Sequence, residues 1–306
     1  MANVNNYIEY INEKAKNSPT ELIASAEERY RRIVRNAADQ AYEGDYHIIM
    51  LAGPSSAGKT TTARLLAEGL KSHGLSSHTI SLDDFYLDKG TGPRREDGSL
   101  DLETVHSLDV PLIRQRLEEL ESLGRAEIPV FDFTTGRRSD RTTTVELNEH
   151  SFVIIEGLHA LNPIITDALL SSDSIKVYLN VSSRIYNSDM DIILNKRNLR
   201  FIRRMIRDYK FRACSSESTF DIWDSVTDGE LRYLAPYKQY ADILINTIHI
   251  YEPCVLKNQA IPLLQAVQKQ SPHFSAAKKL LKALDSFESL PEAMVPESSL
   301  LREFLG

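Results

Sequence analysis

Residues 53–60 read Gly53-Pro54-Ser55-Ser56-Ala57-Gly58-Lys59-Thr60, and their types and spacing suit the cradling of a triphosphate. Gly53 and Gly58 let the backbone curl, so that N–H groups along Ser55, Ser56 and Ala57 can turn toward phosphate oxygens. Lys59 adds a mobile positive charge that can follow a transferring phosphoryl group. The Thr60 hydroxyl offers a ligand to Mg²⁺, and Thr61 extends the tract. A helix starting near Gly58 would aim its positive end at the same phosphates.

Further residues could complete a site. Ser81-Leu82-Asp83-Asp84-Phe85-Tyr86 closes a strand-like run. Asp83 there can accept a proton from an attacking hydroxyl or serve the metal, although Asp is also a favoured helix cap, which is the reading for Asp84. Phe152-Val153-Ile154-Ile155-Glu156-Gly157 is an apolar run ending in a carboxylate, which would place Glu156 as a second acid near Mg²⁺. Lys196, Arg197, Arg200, Arg203, Arg204, Arg207, Lys210 and Arg212 crowd one segment whose local counter-charge is Asp208. Arg200, Arg203, Arg204 and Arg207 share one helix face, apart from the apolar face of Leu199, Ile202, Ile206 and Tyr209. Like charges at that spacing repel unless an anion sits among them, and arginine grips phosphate through paired hydrogen bonds. A mobile lid over the triphosphate follows, with RNA or an acidic partner as the alternative. In Ile128-Pro129-Val130-Phe131-Asp132-Phe133 the aromatics could stack on a planar base or equally pack a core.

These residues need a frame to hold them. Strand-like segments at 46–52, 77–82, 152–156, 175–181 and 242–247 alternate with helix-like ones at 59–73, 104–123, 184–212, 228–240 and 253–269. That alternation predicts an α/β fold with a five-stranded parallel sheet and helices on both faces. Polar loops are expected at 88–101 and 134–146. Residues 1–45 read as a helical extension with a break at Ser18-Pro19, residues 46–250 as the main domain with a lid at 196–212, and 251–306 as a C-terminal helical segment. The 306 residues are 42% hydrophobic and carry a formal charge of −7, which disfavours general nucleic-acid affinity. Cys214 and Cys254 make no disulfide framework or zinc motif, and no stretch has the length of a membrane span. A cytoplasmic, homo-oligomeric protein with no membrane or nucleic-acid partner is expected.

With the motifs in this order, the chain resembles the uridine kinase and phosphoribulokinase family of P-loop kinases over about residues 46–248. The resemblance rests on GPSSAGKTT at 53–61, SLDDFY at 81–86, IPVFDFTTGRR at 128–138, VIIEGLHALNP at 153–163 and RFIRRMIRDYKFR at 200–212. It implies a P-loop NTPase fold of the nucleoside-monophosphate-kinase type, acting on the 5′-hydroxyl of a nucleoside with ATP and Mg²⁺. Lys59 and Thr60 would hold phosphates and metal, Asp83 would be the catalytic base, and Glu156 would support the metal. Arg203, Arg204 and Arg207 would contact the nucleotide. On the acceptor side the resemblance implies Arg200, Phe131, Arg137 and a ribose-gripping acid, with Glu103 ahead of Asp101. Where uridine kinases carry a base-reading histidine, this chain reads Gly136.

The expected activity is therefore phosphorylation of a ribonucleoside, uridine or cytidine first. One alternative is a sugar-phosphate acceptor held by Arg94, Arg95, Arg137 and Arg138. The other is a nucleotide-dependent binding or regulatory module.

Overall fold

A computed structural model describes residues 6–96, 98–167 and 174–306, so residues 1–5 of the stretch read as helical lie outside it. Two helices lead, α1 (Ile8–Asn17) and α2 (Pro19–Glu43), divided at Ser18 with Pro19 in the first turn of α2. There a missing N–H costs nothing and the fixed φ favours a helical start. Five strands then build one sheet: β1 (Ile48–Ala52), β2 (Ser76–Ser81), β5 (Ser151–Gly157), β6 (Ser174–Asn180) and β9 (Ile243–Asn246). Their order is β2-β5-β1-β6-β9, and every pairing is parallel.

Both faces of this sheet are covered, which is why its central strands are apolar without alternation. Ile49 and Leu51 of β1, with Phe152 and Ile154 of β5, face a core shared with α3 (Lys59–Ser72). Met50 and Ala52, with Val153 and Ile155, face a second core built on α4 (Val110–Leu123) and a hairpin of β3 (Arg125–Asp132) and β4 (Arg137–Glu146). The flanking helices join the first core. Ile11, Leu22, Val34, Leu256, Leu280 and Phe304 all belong to it, drawn from α1, α2, α8 (Glu252–Gln265), α9 (Phe274–Asp285) and α10 (Arg302–Leu305). Helix α2 lies so close on α3 that a Cβ at Gly69 would stand 2.7 Å from that of Ala38.

The five expected strands are present to within two residues at each end. Elsewhere the local reading needed tertiary information. Residues 134–146, expected as a loop, are largely β4, whose exposed threonines pair across the hairpin. Thr142 and Thr144 donate to Glu127 at 2.7 and 2.8 Å. Helix α4 starts at Val110, where the Asp109 side chain accepts from Leu112 N–H at 3.1 Å. The expected helix over 184–212 divides into two short strands, β7 (Ile185–Tyr186) and β8 (Ile192–Leu194), and helix α6 (Lys196–Arg212). Asn195 and Asn198 form a reciprocal capping box that fixes its start. Helix α7 (Ser216–Tyr233) begins twelve residues before the expected 228, capped by Ser215. A four-residue helix, α5 (Pro163–Thr166), follows β5. Among the described residues no helix is long and apolar enough to cross a membrane.

Candidate active site

The loop after β1 takes the conformation its glycines permit. Ser56 and Gly58 have φ of +58° and +91°, and Ala57 N–H closes a turn on the Pro54 carbonyl at 3.1 Å. Gly58 is required twice over, by its positive φ and because a Cβ would meet Leu300 at 2.2 Å. Lys59 opens α3 half-buried, and Thr60 beside it is exposed at the helix start.

Parallel register brings the acids to this loop. Leu51 of β1 stands opposite Glu156 of β5, which stands opposite Ser81 of β2. The strands therefore end side by side, and the loop, Glu156 and Asp83 share one edge, where ligands sit in open α/β sheets. Glu156 is 5% exposed. Its Oε1 accepts from Ser81 Oγ at 2.9 Å, while Oε2 is buried without a hydrogen-bond partner. Burial raises its pKa to about 7, with Lys59 opposing and Asp83 reinforcing the rise. Asp83 is partly exposed on a 3₁₀ turn over Leu82–Phe85. The adjacent acid has different work, because Asp84 accepts from Phe131 N–H at 3.0 Å and ties this turn to β3.

Glu103 and Asp101 separate in the same way. Asp101 is committed to Arg95, to the Glu103 N–H and to the Tyr233 hydroxyl. The Glu103 carboxylate takes no hydrogen bond among the described residues, and its side-chain stem lies so close on Gly229 that a Cβ there would overlap it at 2.3 Å. Burial, then the charge of Glu230, raises its pKa to about 7, with Arg204 and Lys59 pulling the other way. His159, just past Glu156, is buried with Nδ1 unpartnered, and burial holds its pKa down to about 4. It is a neutral ring at the site's wall.

The arginine face differs most from the sequence expectation. Arg203 is wholly buried behind the loop, with Nε 2.6 Å from Glu252 and further bonds to the carbonyls of Ser56 and Thr247. Arg200 pairs with Glu230 and donates to the Ser55 carbonyl at 2.9 Å, while Glu230 accepts from Ser55 N–H at 2.9 Å. One ion pair thus clasps both sides of a loop residue. Arg204 donates to Ser55 Oγ at 2.7 Å and to Asp208, which also takes Arg207 and Arg212. Counter-charges from α7 and α8 neutralise a cluster for which the local sequence offered only Asp208. Arg200 and Arg203 hold the loop itself in place of reaching over it, and Arg200, Arg203 and Arg204 are buried.

Among the residues expected on the acceptor side, Phe131 lies 5.8 Å from Tyr86 and 5.1 Å from Phe133, centroid to centroid. The exposed Phe133 ring also carries the Arg212 guanidinium at 5.6 Å. Gly136 turns the β3–β4 hairpin at φ +68°, where a Cβ would crowd Lys89 at 3.0 Å. A histidine there would be strained, so the position carries no base-reading side chain. Arg137 is exposed on the same hairpin. Arg95 is paired with Asp101, Arg138 with Asp109, and Arg94 donates to the Gly98 carbonyl. A groove of about 450 Å³ between α6, α7 and α9 lies away from this edge and includes none of the loop residues in its lining.

An all-parallel sheet whose central strand runs into this loop, with acids at the ends of β5 beside it and of β2 one strand further out, has the architecture of a P-loop kinase. Residues 48–252 match the family described as Phosphoribulokinase / Uridine kinase family. The chain belongs to that family. It is 31% identical to a uridine kinase of Lactobacillus helveticus over 199 residues, covering 65% of this chain and 85% of the relative. A uridine kinase of Deinococcus deserti is 29% identical over 209 residues, covering 68% and 91%. Among solved structures, a candidate fructose transport system kinase from Silicibacter sp. TM1040 shares the fold with TM-score 0.51 and 17% identity, covering 69% of this chain and 98% of that one.

Proposed function

We propose that this kinase transfers the γ-phosphoryl group of ATP to a primary hydroxyl of a ribonucleoside, with uridine or cytidine as first candidates. The observation that carries the reading is the convergence of Asp83, Glu156 and Lys59 at the ends of three adjacent strands. In this reading Asp83, exposed enough to meet a substrate, orients the acceptor hydroxyl and takes its proton. Lys59, Arg204 and the N–H groups of Ser56 and Gly58 stabilise the charge that spreads over the transferring group, whereas the N–H groups of Ser55 and Ala57, expected to do so, are taken by Glu230 and the Pro54 carbonyl. Arg207 lies beside them, and Arg200 and Arg203 act through the loop they hold.

The donor set suits a hard cation. Thr60 offers a hydroxyl at the helix start, and Glu156 has one buried carboxylate oxygen with nothing to bind. Thr60, Glu156 and Asp83 would hold Mg²⁺, directly or through water. The ion would neutralise charge developing on the phosphate oxygens.

The charge of the acceptor side supports a neutral polyhydroxyl substrate over a sugar phosphate. Three of the four arginines a second phosphate would need are already engaged. Asp83 and Glu103 make no ion pair among the described residues, and Phe131 and Phe133 offer flat apolar surface to a base. ATP consumption measured with a panel of nucleosides, ribulose 5-phosphate and pantothenate tests the reading. Turnover with a nucleoside is expected, and silence across all nucleosides would sink it.

A further inference from the structure

The phosphate loop and the first turn of α3 are held from behind by two parts of the chain that lie outside the family-matched residues 48–252. From the N-terminal side, the buried Tyr30 hydroxyl of α2 bonds Thr62 Oγ1 at 2.6 Å, and Thr62 donates onward to the Gly58 carbonyl at 2.6 Å. From the C-terminal side, Leu300 fills the space that a side chain at Gly58 would need. Glu303 Oε2 accepts from Thr61 Oγ1 at 3.1 Å, and the Phe304 ring lies 5.4 Å from the Arg203 guanidinium. The two parts are joined to each other. Buried Glu27 of α2 accepts from Ser299 Oγ at 2.6 Å and from the Tyr251 hydroxyl at 2.5 Å.

Arranged this way, the residues do more than cover an apolar surface. Thr61 and Thr62 lie on the first turn of α3, directly after the loop read as the ATP site, and each hydroxyl is anchored by a residue from a flanking segment. Binding gains when donors are already aimed, because less ordering is left for the moment of association. A negative charge near a phosphate site works against that gain. The hydrogen bond to Thr61, not the charge, is therefore the contribution that Glu303 can make to binding.

We propose that residues 298–305 form, with Glu27 and Tyr30, a brace that sets the loop's nucleotide-binding geometry, and that Glu303 is a positioning residue acting through Thr61. The proposal rests on the reading of residues 53–60 as the ATP site. Its test is ATP affinity in Mg²⁺, measured by titration calorimetry on the full chain without acceptor, alongside melting temperature. Glu303→Ala is expected to weaken ATP binding about tenfold, the scale of one hydrogen bond to a charged group. It should raise KM for ATP by the same factor while leaving KM for the acceptor unchanged. Glu303→Gln keeps an acceptor for Thr61 without the charge, so its affinity should match or exceed that of the wild type. In a Thr61→Val background, Glu303→Ala should cost nothing further. Wild-type ATP affinity in folded Glu303→Ala, or equal losses in the Ala and Gln variants, would overturn the brace. A wild-type protein that binds no nucleotide would overturn the site reading itself, and the brace with it.

Discussion

Asp83 and Glu156 stand near each other at one edge of the sheet, yet their surroundings assign them different chemistry. Asp83 is accessible on a 3₁₀ turn, whereas Glu156 is buried with one oxygen unpartnered. Asp83→Asn should leave a folded protein that still binds ATP while lowering kcat by about 10²- to 10⁴-fold, the usual weight of a general base. Near-normal turnover in that variant would remove Asp83 from the role. Glu156 carries a folded-state pKa of about 7 against an ordinary 4.5, caused first by burial. Its protonated form is favoured in the fold, so its stabilising contribution is present below 4.5 and lost as pH rises through 7. Glu156→Gln should therefore raise the melting temperature at pH 8, with the gain fading toward pH 4.5, and should weaken Mg²⁺-dependent turnover at every pH. A variant that melts earlier at pH 8 would contradict this assignment.

Helix α6 shows how an element acquires its meaning from neighbours. Its sequence presents four arginines on one face, and isolated they would repel one another. In the fold, Glu252 of α8, Glu230 of α7 and Asp208 of α6 itself take them up, and three of the four, Arg200, Arg203 and Arg204, also reach Ser55 or Ser56. Arg203 and Glu252 are both 0% exposed, so removing one leaves the other charge buried and uncompensated. Arg203→Ala should cost about 3–5 kcal/mol of stability, readable as a lowered urea midpoint. Arg207→Ala should cost clearly less by the same measurement, because Asp208 stays paired to Arg204 and Arg212 and no buried charge is left alone. Equal losses in the two variants would show that the arginines form one undifferentiated cluster. The engagement of α6 was not legible locally, because Glu230 and Glu252 lie 30 and 49 positions from their partners. The capping box at Asn195 and Asn198 was legible in principle, and it marks where the helix starts.

At the scale of the whole molecule, two cores flank one sheet and several titratable groups are sealed into them. Burial pushes His249 down to about 3 and His159 down to about 4, from an ordinary 6.5. Their contribution is present above 6.5 and lost as pH falls toward those values, because the unfolded chain then binds more protons. Glu103 and Glu156, raised to about 7, act in the opposite sense between 4.5 and 7. The two trends oppose each other between about pH 4.5 and 6.5. Ligand-free stability should therefore change little across that window and fall below it, as read from urea midpoints at a series of pH values. A steep decline from pH 6.5 to 5 would mean that the histidines dominate.

What the amino-acid sequence determined by itself was the chemistry with a local cause. The octapeptide at 53–60, the apolar runs that became strands, the Pro19 helix start and the carboxylate ending β5 depend on neighbours a few positions away, which propensity and spacing can report. The hairpin over 125–146 escaped because β4 is polar and exposed, and its pairing is made across the turn. Tertiary structure supplied the partners that engage the other acid of each pair. Asp84 is taken by Phe131 and Asp101 by Arg95 and Tyr233, in keeping with the preference for Asp83 and Glu103 that the sequence carried. It also decided that Arg200 and Arg203 brace the loop, and that Glu303, 242 positions from its partner Thr61, belongs beside it. A one-dimensional pattern carries the type of a charge. Only the packed chain brings its partner, and with it the dielectric and the direction in which the charge can act.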